Sequence, residues 1–225
     1  MILLGSVVNG GAVVVGGLVG MFVGKLLPER LRTSVMAALS LMTIGIAVPG
    51  LLKSNNALIP IISMVVGTLI GELLDIDSAV NKLGEKLQKR FSGSRVTEGF
   101  VTGSLVFAVG ALAVMGPLES GLQHQHSLLF SKSVIDGVAS IVFASTMGLG
   151  VALSGITVFG VEGSIALLAS VVAPYLGEAV VNEITFVGSL LIVGISLNLL
   201  GATKLRILNM VPAILLPILL CRFMG

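Results

Sequence analysis

Few side chains in this chain could do chemistry, and most of them stand alone in apolar surroundings. Asp136 follows Lys132 by one helical turn, and Ser140, Ser145 and Thr146 follow it down the same stretch. Two readings stand side by side. The pair is an i, i+4 ion pair at the edge of a helix, or Asp136 lines an access route for a cation or polar solute. Glu72 and Glu178 stand in matched local contexts, as gating or ion-coupling carboxylates or as carboxylates near helix ends. Ser6, Asn9, Ser104, Ser189 and Asn198 supply hydroxyls and amides for a neutral solute, or for bridging to a neighbouring helix. Glu119 and Glu162 read as loop carboxylates. His124 and His126 lie two apart between glutamines, but no third and fourth metal ligand converges at a recognisable spacing, so they read as a solvated loop. No Ser/His/Asp set, paired catalytic acids, phosphate-cradling glycine loop or Walker-type lysine is present. The expectation is a protein that is not an enzyme and needs no cofactor or metal.

The elements that position these groups follow from composition. Of 225 residues, 55% are apolar and 11% charged, with a mean hydropathy of +1.10. A water-soluble domain carries about 25% charged residues. A formal charge of +2 with scattered basic residues cannot build a phosphate-binding face, which excludes a nucleic-acid partner. The single cysteine, Cys221, cannot form an internal disulfide. The chain must be a multi-pass membrane protein with the lipid bilayer as its first partner.

A bilayer core of about 30 Å needs roughly 20 mostly apolar residues per helix. Eight stretches qualify or nearly do: 2–24, 34–52, 57–74, 99–116, 133–154, 163–181, 184–202 and 206–223. A seven-span version would lose one near the C-terminus. The apolar runs are continuous and not alternating, so the fold class is all-α and not a barrel. The first run lacks a basic leader and a small-residue cleavage site, and it reads as a span. Lys25, Arg30, Arg32, Lys82, Lys86, Lys89, Arg90, Arg95, Lys204 and Arg206 all fall on one side if the N-terminus is outside. Only Lys53, Lys132 and Arg222 are then left outside, and the positive-inside rule favours that orientation. Between the third and fourth spans, Ile76, Val80, Leu83, Leu87 and Phe91 recur at helical spacing opposite Lys82, Glu85, Lys86, Lys89 and Arg90. That pattern predicts an amphipathic helix lying in the interface, with a calmodulin-type partner site as the alternative.

Short matches recur in one order along the chain. Residues 44–50 align with 149–155, Val65-Val66 and Gly71-Glu72 with Val171-Val172 and Gly177-Glu178, and Gly5-Ser6-Val7-Val8 with Gly103-Ser104-Leu105-Val106. Three spans per unit and a non-crossing linker would invert the second unit, an architecture of secondary transporters. The expected organisation is a first repeat at 1–77, the linker helix at 78–98, an inverted repeat at 99–183 and a C-terminal hairpin at 184–225. Small residues at Ala12, Gly16, Gly20 and Gly24, and again at Ser140, Ala144, Gly148 and Ala152, predict smooth faces for close helix packing. Pro49-Gly50, Gly116-Pro117 and Pro174 are the expected helix breaks.

The opening 5–11, the segments 103–117 and 136–151, and the ending 197–204 followed by Asn209-Met210-Val211-Pro212 resemble the YdfK/YqgA-like family of uncharacterised bacterial inner-membrane proteins. The resemblance covers nearly the whole chain and is most specific at 136–151. It implies an inner-membrane location and a multi-pass topology, and it supplies no ligand residues. Where the family pattern leads one to expect a proline after Gly110, this chain has Ala111, which would leave the break of the fourth span to Gly116-Pro117.

Together these features predict a small secondary transporter that moves a polar solute or ion by alternating access, working as a homo-oligomer. Ser6, Asn9, Ser104, Asp136, Ser145, Thr146 and Asn198 are the expected lining residues. The alternatives are an ion channel, or a non-transporting scaffold or lipid-binding protein that works through the linker helix.

Overall fold

The computed structural model describes residues 1–82 and 95–224. Among them every regular element is helical. The chain runs through α1 (Leu4–Lys25), α2 (Glu29–Leu51), α3 (Leu58–Leu74) and α4 (Ile76–Lys82). After the linker come α5 (Val96–Ala108), α6 (Ala111–Gln123), α7 (Ser127–Met147), α8 (Leu149–Leu167) and α9 (Ala169–Val172). A 3₁₀ turn leads to α10 (Glu178–Leu199), and α11 (Ile207–Met210) passes through a second 3₁₀ turn to α12 (Pro217–Met224). Five helices are long and apolar enough to cross a membrane, and the count rises to eight if each of three bent pairs is one span. Those pairs, α3–α4, α5–α6 and α11–α12, bend by 51°, 61° and 44°. Of the expected linker helix only its ends are seen; Leu83, Glu85, Lys86, Leu87, Lys89, Arg90 and Phe91 lie outside the described residues.

One boundary between spans differs from the sequence expectation. The fifth and sixth spans meet at Gly148 (φ 71°, ψ −145°), with no polar loop between 154 and 163. The sixth span therefore begins near Leu149, which puts Glu162 inside a helix. The expected stripe from Ser140 to Ala152 is likewise divided between α7 and α8. The breaks also fall elsewhere. Pro49 sits in the last turn of an unbroken α2, Pro117 sits inside α6, and Pro174 lies in the 3₁₀ turn after α9. The fourth span breaks at Val109-Gly110, where Val109 is extended and Gly110 has φ 122° and ψ 165°. Only glycine adopts that backbone at low cost.

Packing explains the glycines of α1. Gly16 abuts Ser140 and Gly137 of α7, Gly20 the Ile141 backbone, and Gly24 the Ser145 backbone, while Gly17 meets Ala152 of α8. Side chains at these positions would hold the helices apart, so the close approach depends on their absence. The predicted small-residue face thus packs within one chain. α1 belongs with α5, α6, α7 and α8, whereas α2 and α3 pack mainly with α10, α11 and α12. The packing groups cut across the segment boundaries at 77 and 98.

Candidate functional site

Four polar side chains meet inside the first packing group. Asn9 comes from α1, Lys132 and Asp136 from α7, and Glu162 from α8. Asn9 and Glu162 are completely buried and the other two are 6% exposed. At 1.5 Å per residue, Asp136 lies about 14 Å along α7 from Ser127, well inside a span. The apolar run alone places Asp136 near the end of its span and Lys132 outside the membrane. The helix begins earlier than its apolar run, which draws both residues inward.

The hydrogen bonds account for every donor in the cluster. Asn9 Nδ2 donates to Asp136 Oδ2 at 3.1 Å and to Glu162 Oε1 at 2.8 Å. Lys132 Nζ is ion-paired with Asp136, lies 3.3 Å from Glu162 Oε1, and donates to the Phe107 carbonyl at 2.6 Å. Phe107 lies in the last turn of α5, just before the break, where carbonyls lose their intrahelical donors. The helix break and the buried lysine are one construction. A cation at a helix C-terminus also meets the negative end of the helix dipole.

Acceptors remain. Asn9 Oδ1 and Glu162 Oε2 are buried without partners, as is the Ser6 hydroxyl one turn before Asn9. The formal charges of Lys132, Asp136 and Glu162 sum to −1. Burying unpaired charge costs several kcal/mol per ion, and ionisable groups inside membranes mark pathways or coupling sites. The unused capacity of this site is for a hydrogen-bond donor or a positive charge. Among the described residues, no group of three or more His, Cys, Asp or Glu side chains could hold a metal ion.

The other expected residues are dispersed. Ser104 is on α5 with a buried, unpartnered hydroxyl. Ser145 and Thr146 donate to the carbonyls of Val142 and Phe143 in their own helix. Asn198 ties down the turn after α10: its amide donates to Leu205 O at 2.8 Å, and its oxygen accepts from Thr203 and the Leu205 backbone. Glu72 pairs with Arg206 at 2.7 Å on the surface, where Arg206 also meets Asp75. Glu178 opens α10, where a carboxylate suits the positive end of the helix.

Several readings from the sequence change. Glu162 is not a loop residue but the most buried charge of the cluster, and Glu119 lies in α6. The signal for Glu162 was the spacing Ser154, Val158, Glu162, one helical face that is buried throughout. Glu183, which the sequence does not single out, is 3% exposed and accepts from the backbone N–H groups of Asn55 and Asn56. His124 is exposed and ends α6 in the left-handed region, whereas His126 Nδ1 lies 2.7 Å from Ser120 Oγ, whose hydroxyl donates to Ile2 O.

Apolar helices of span length around buried charges define a multi-pass α-helical membrane protein. The family described as "Protein of unknown function (DUF554)" matches residues 4–222, and the chain belongs to it. It is 31% identical over 219 residues to "Uncharacterized membrane protein YdfK" of Bacillus subtilis (strain 168), covering 96% of this chain and 94% of that protein. It is 27% identical over 220 residues to "Uncharacterized protein YqgA" of Escherichia coli (strain K12), covering 95% and 94% respectively. No solved structure matches the chain.

Proposed function

We propose that this protein is a secondary transporter that moves a small polar solute or ion across the bacterial inner membrane by alternating access, with no covalent chemistry of its own. The observation that supports this reading is the cluster of Asn9, Lys132, Asp136 and Glu162, buried inside spans with acceptors but no donors to spare. One added positive charge, a proton or a monovalent cation, brings its formal charge to zero. Loading with that charge frees Lys132 from one carboxylate and leaves it held by the other and by the Phe107 carbonyl at the helix break. A change of occupancy is thereby coupled to the broken helix, the kind of element from which transporter sites are built. The basic residues of the connectors support an orientation with the N-terminus outside.

The test is flux in proteoliposomes. Proton movement is read with an internal pH-sensitive dye under an imposed membrane potential, while amino acids, organic acids, sugars, nucleosides and salts are added in turn. Gradient-dependent, saturable flux is expected from the wild type. Glu162→Gln and Asp136→Asn should each lower it at least tenfold, in protein shown by thermal unfolding to be folded. Wild-type flux in Glu162→Gln would refute the coupling role. Folded wild type that is silent in every condition would refute transport, and non-saturating currents would point to a channel.

A further inference from the structure

A second site lies at the far end of the other packing group. The α2–α3 loop, the 3₁₀ turn before α10 and the end of α12 enclose a cavity of about 610 Å³, with Glu183 and Arg222 in its wall. Glu183 Oε1 accepts the N–H groups of Asn55 and Asn56 at 3.1 and 3.4 Å, while Oε2 is buried with no partner. Arg222 is exposed and forms no ion pair among the described residues. Opposite charges thus line one cavity without meeting. The rest of the wall is largely apolar, with Ile59, Val180 and Ile218.

A groove of about 670 Å³ shares Asn55 with this cavity and lies between α3 and α10, lined by Ile61, Met64, Val65, Phe186 and Leu190. Ala179, Glu183, Phe186 and Leu190 follow one another down a single face of α10, because steps of three and four residues return to the same side of a helix. From Ala179 to Leu190 that face is about 16 Å long, roughly the depth of one leaflet of a 30 Å core. Ile61 and Val65 leave the opposite wall more than half exposed.

We propose that this face binds one phospholipid whose head group carries both a primary ammonium and a phosphate. The ammonium donates to Glu183 Oε2, the phosphate pairs with Arg222, and an acyl chain lies in the α3–α10 groove. Charge complementarity and the continuity of polar cavity with apolar groove distinguish this occupant from a free zwitterion, which would have no use for the groove. The site is independent of the Asn9–Glu162 cluster and of transport.

The experiment uses delipidated full-length protein in detergent, offered phosphatidylethanolamine, phosphatidylcholine, phosphatidylglycerol or water-soluble glycerophosphoethanolamine. Retention is read by native mass spectrometry and protection by thermal unfolding. A charge-assisted hydrogen bond that choline cannot make predicts a preference of about tenfold or more for the ethanolamine lipid. Glu183→Gln should erase that preference. Arg222→Gln, at an exposed position, should weaken the ethanolamine and choline lipids alike and keep their order. Val65→Trp, which fills the groove from an exposed position, should weaken all three lipids. Equal retention of the ethanolamine and choline lipids by the wild type overturns the proposal, as does an undiminished preference in folded Glu183→Gln. Protection by glycerophosphoethanolamine equal to that by the whole lipid overturns the lipid assignment.

Discussion

Replacing Lys132 with methionine keeps most of the side-chain volume and removes one charge from the buried cluster. The loss has two parts. Asp136 and Glu162 are left facing each other without their cation, and stranding one side of a buried ion pair costs about 3–5 kcal/mol. The Phe107 carbonyl, bonded to Lys132 at 2.6 Å, loses its donor at the break between α5 and α6, and an orphaned buried acceptor costs about 1–3 kcal/mol. The two parts share one site and do not add fully, so the expected destabilisation is about 4–6 kcal/mol. The assay is reversible unfolding in mixed detergent micelles, with helical signal as the readout. The triple variant Lys132→Met, Asp136→Asn, Glu162→Gln removes all three charges and should recover most of the loss, because it leaves no uncompensated charge in the interior. A single variant within about 1 kcal/mol of wild type would mean the cluster is solvated and not buried. A triple variant no better than the single one would mean the loss is not electrostatic.

Further variants separate other forces. Gly20→Ala would place a Cβ 2.9 Å from Ile141 Cα and overlapping its carbonyl oxygen, and should cost about 3 kcal/mol in the same unfolding assay. Gly45→Ala in α2 meets no atom within 4 Å and should be neutral or up to about 1 kcal/mol stabilising. Gly110→Ala also meets open space, yet its φ of 122° should cost about 1–3 kcal/mol through backbone strain alone. Arg206→Ala removes pairs to Glu72 and Asp75 that are about half exposed, and should shift stability by less than about 1 kcal/mol, more at low salt than at high.

The helices were legible in the sequence because continuous apolar runs have one stable form in a bilayer. Their ends were not. Between α7 and α8 the chain turns at Gly148 inside an apolar stretch, with no polar loop to mark it, so the apolar runs alone put Glu162 in a loop that does not exist. The fourth span invited a break at Pro117, but a proline can be accommodated within a helix, whereas the backbone at Gly110 cannot be helical. Asn9, Lys132 and Asp136 stood out as polar groups in apolar runs. Their convergence with Glu162 depends on how α1 meets α7 and α8, a long-range contact for which the sequence offered only the glycine face. Asn198 was equally conspicuous and does a different job, fastening a turn, because an amide near a span end has backbone groups within reach.

The glycine seam between α1 and α7 also decides which parts of the molecule can move separately. With Gly16, Gly20 and Gly24 seated against the backbone of the neighbouring helix, neither helix can roll or slide on the other without collision. Asn9 therefore travels with Lys132 and Asp136 as a single block. The same seam continues to α8, where Gly17 meets the Ala152 backbone and Gly10 the Gly155 carbonyl, so Glu162 belongs to that block too. The adjustable partner of Lys132 is then the Phe107 carbonyl, three residues before Gly110 and its positive φ.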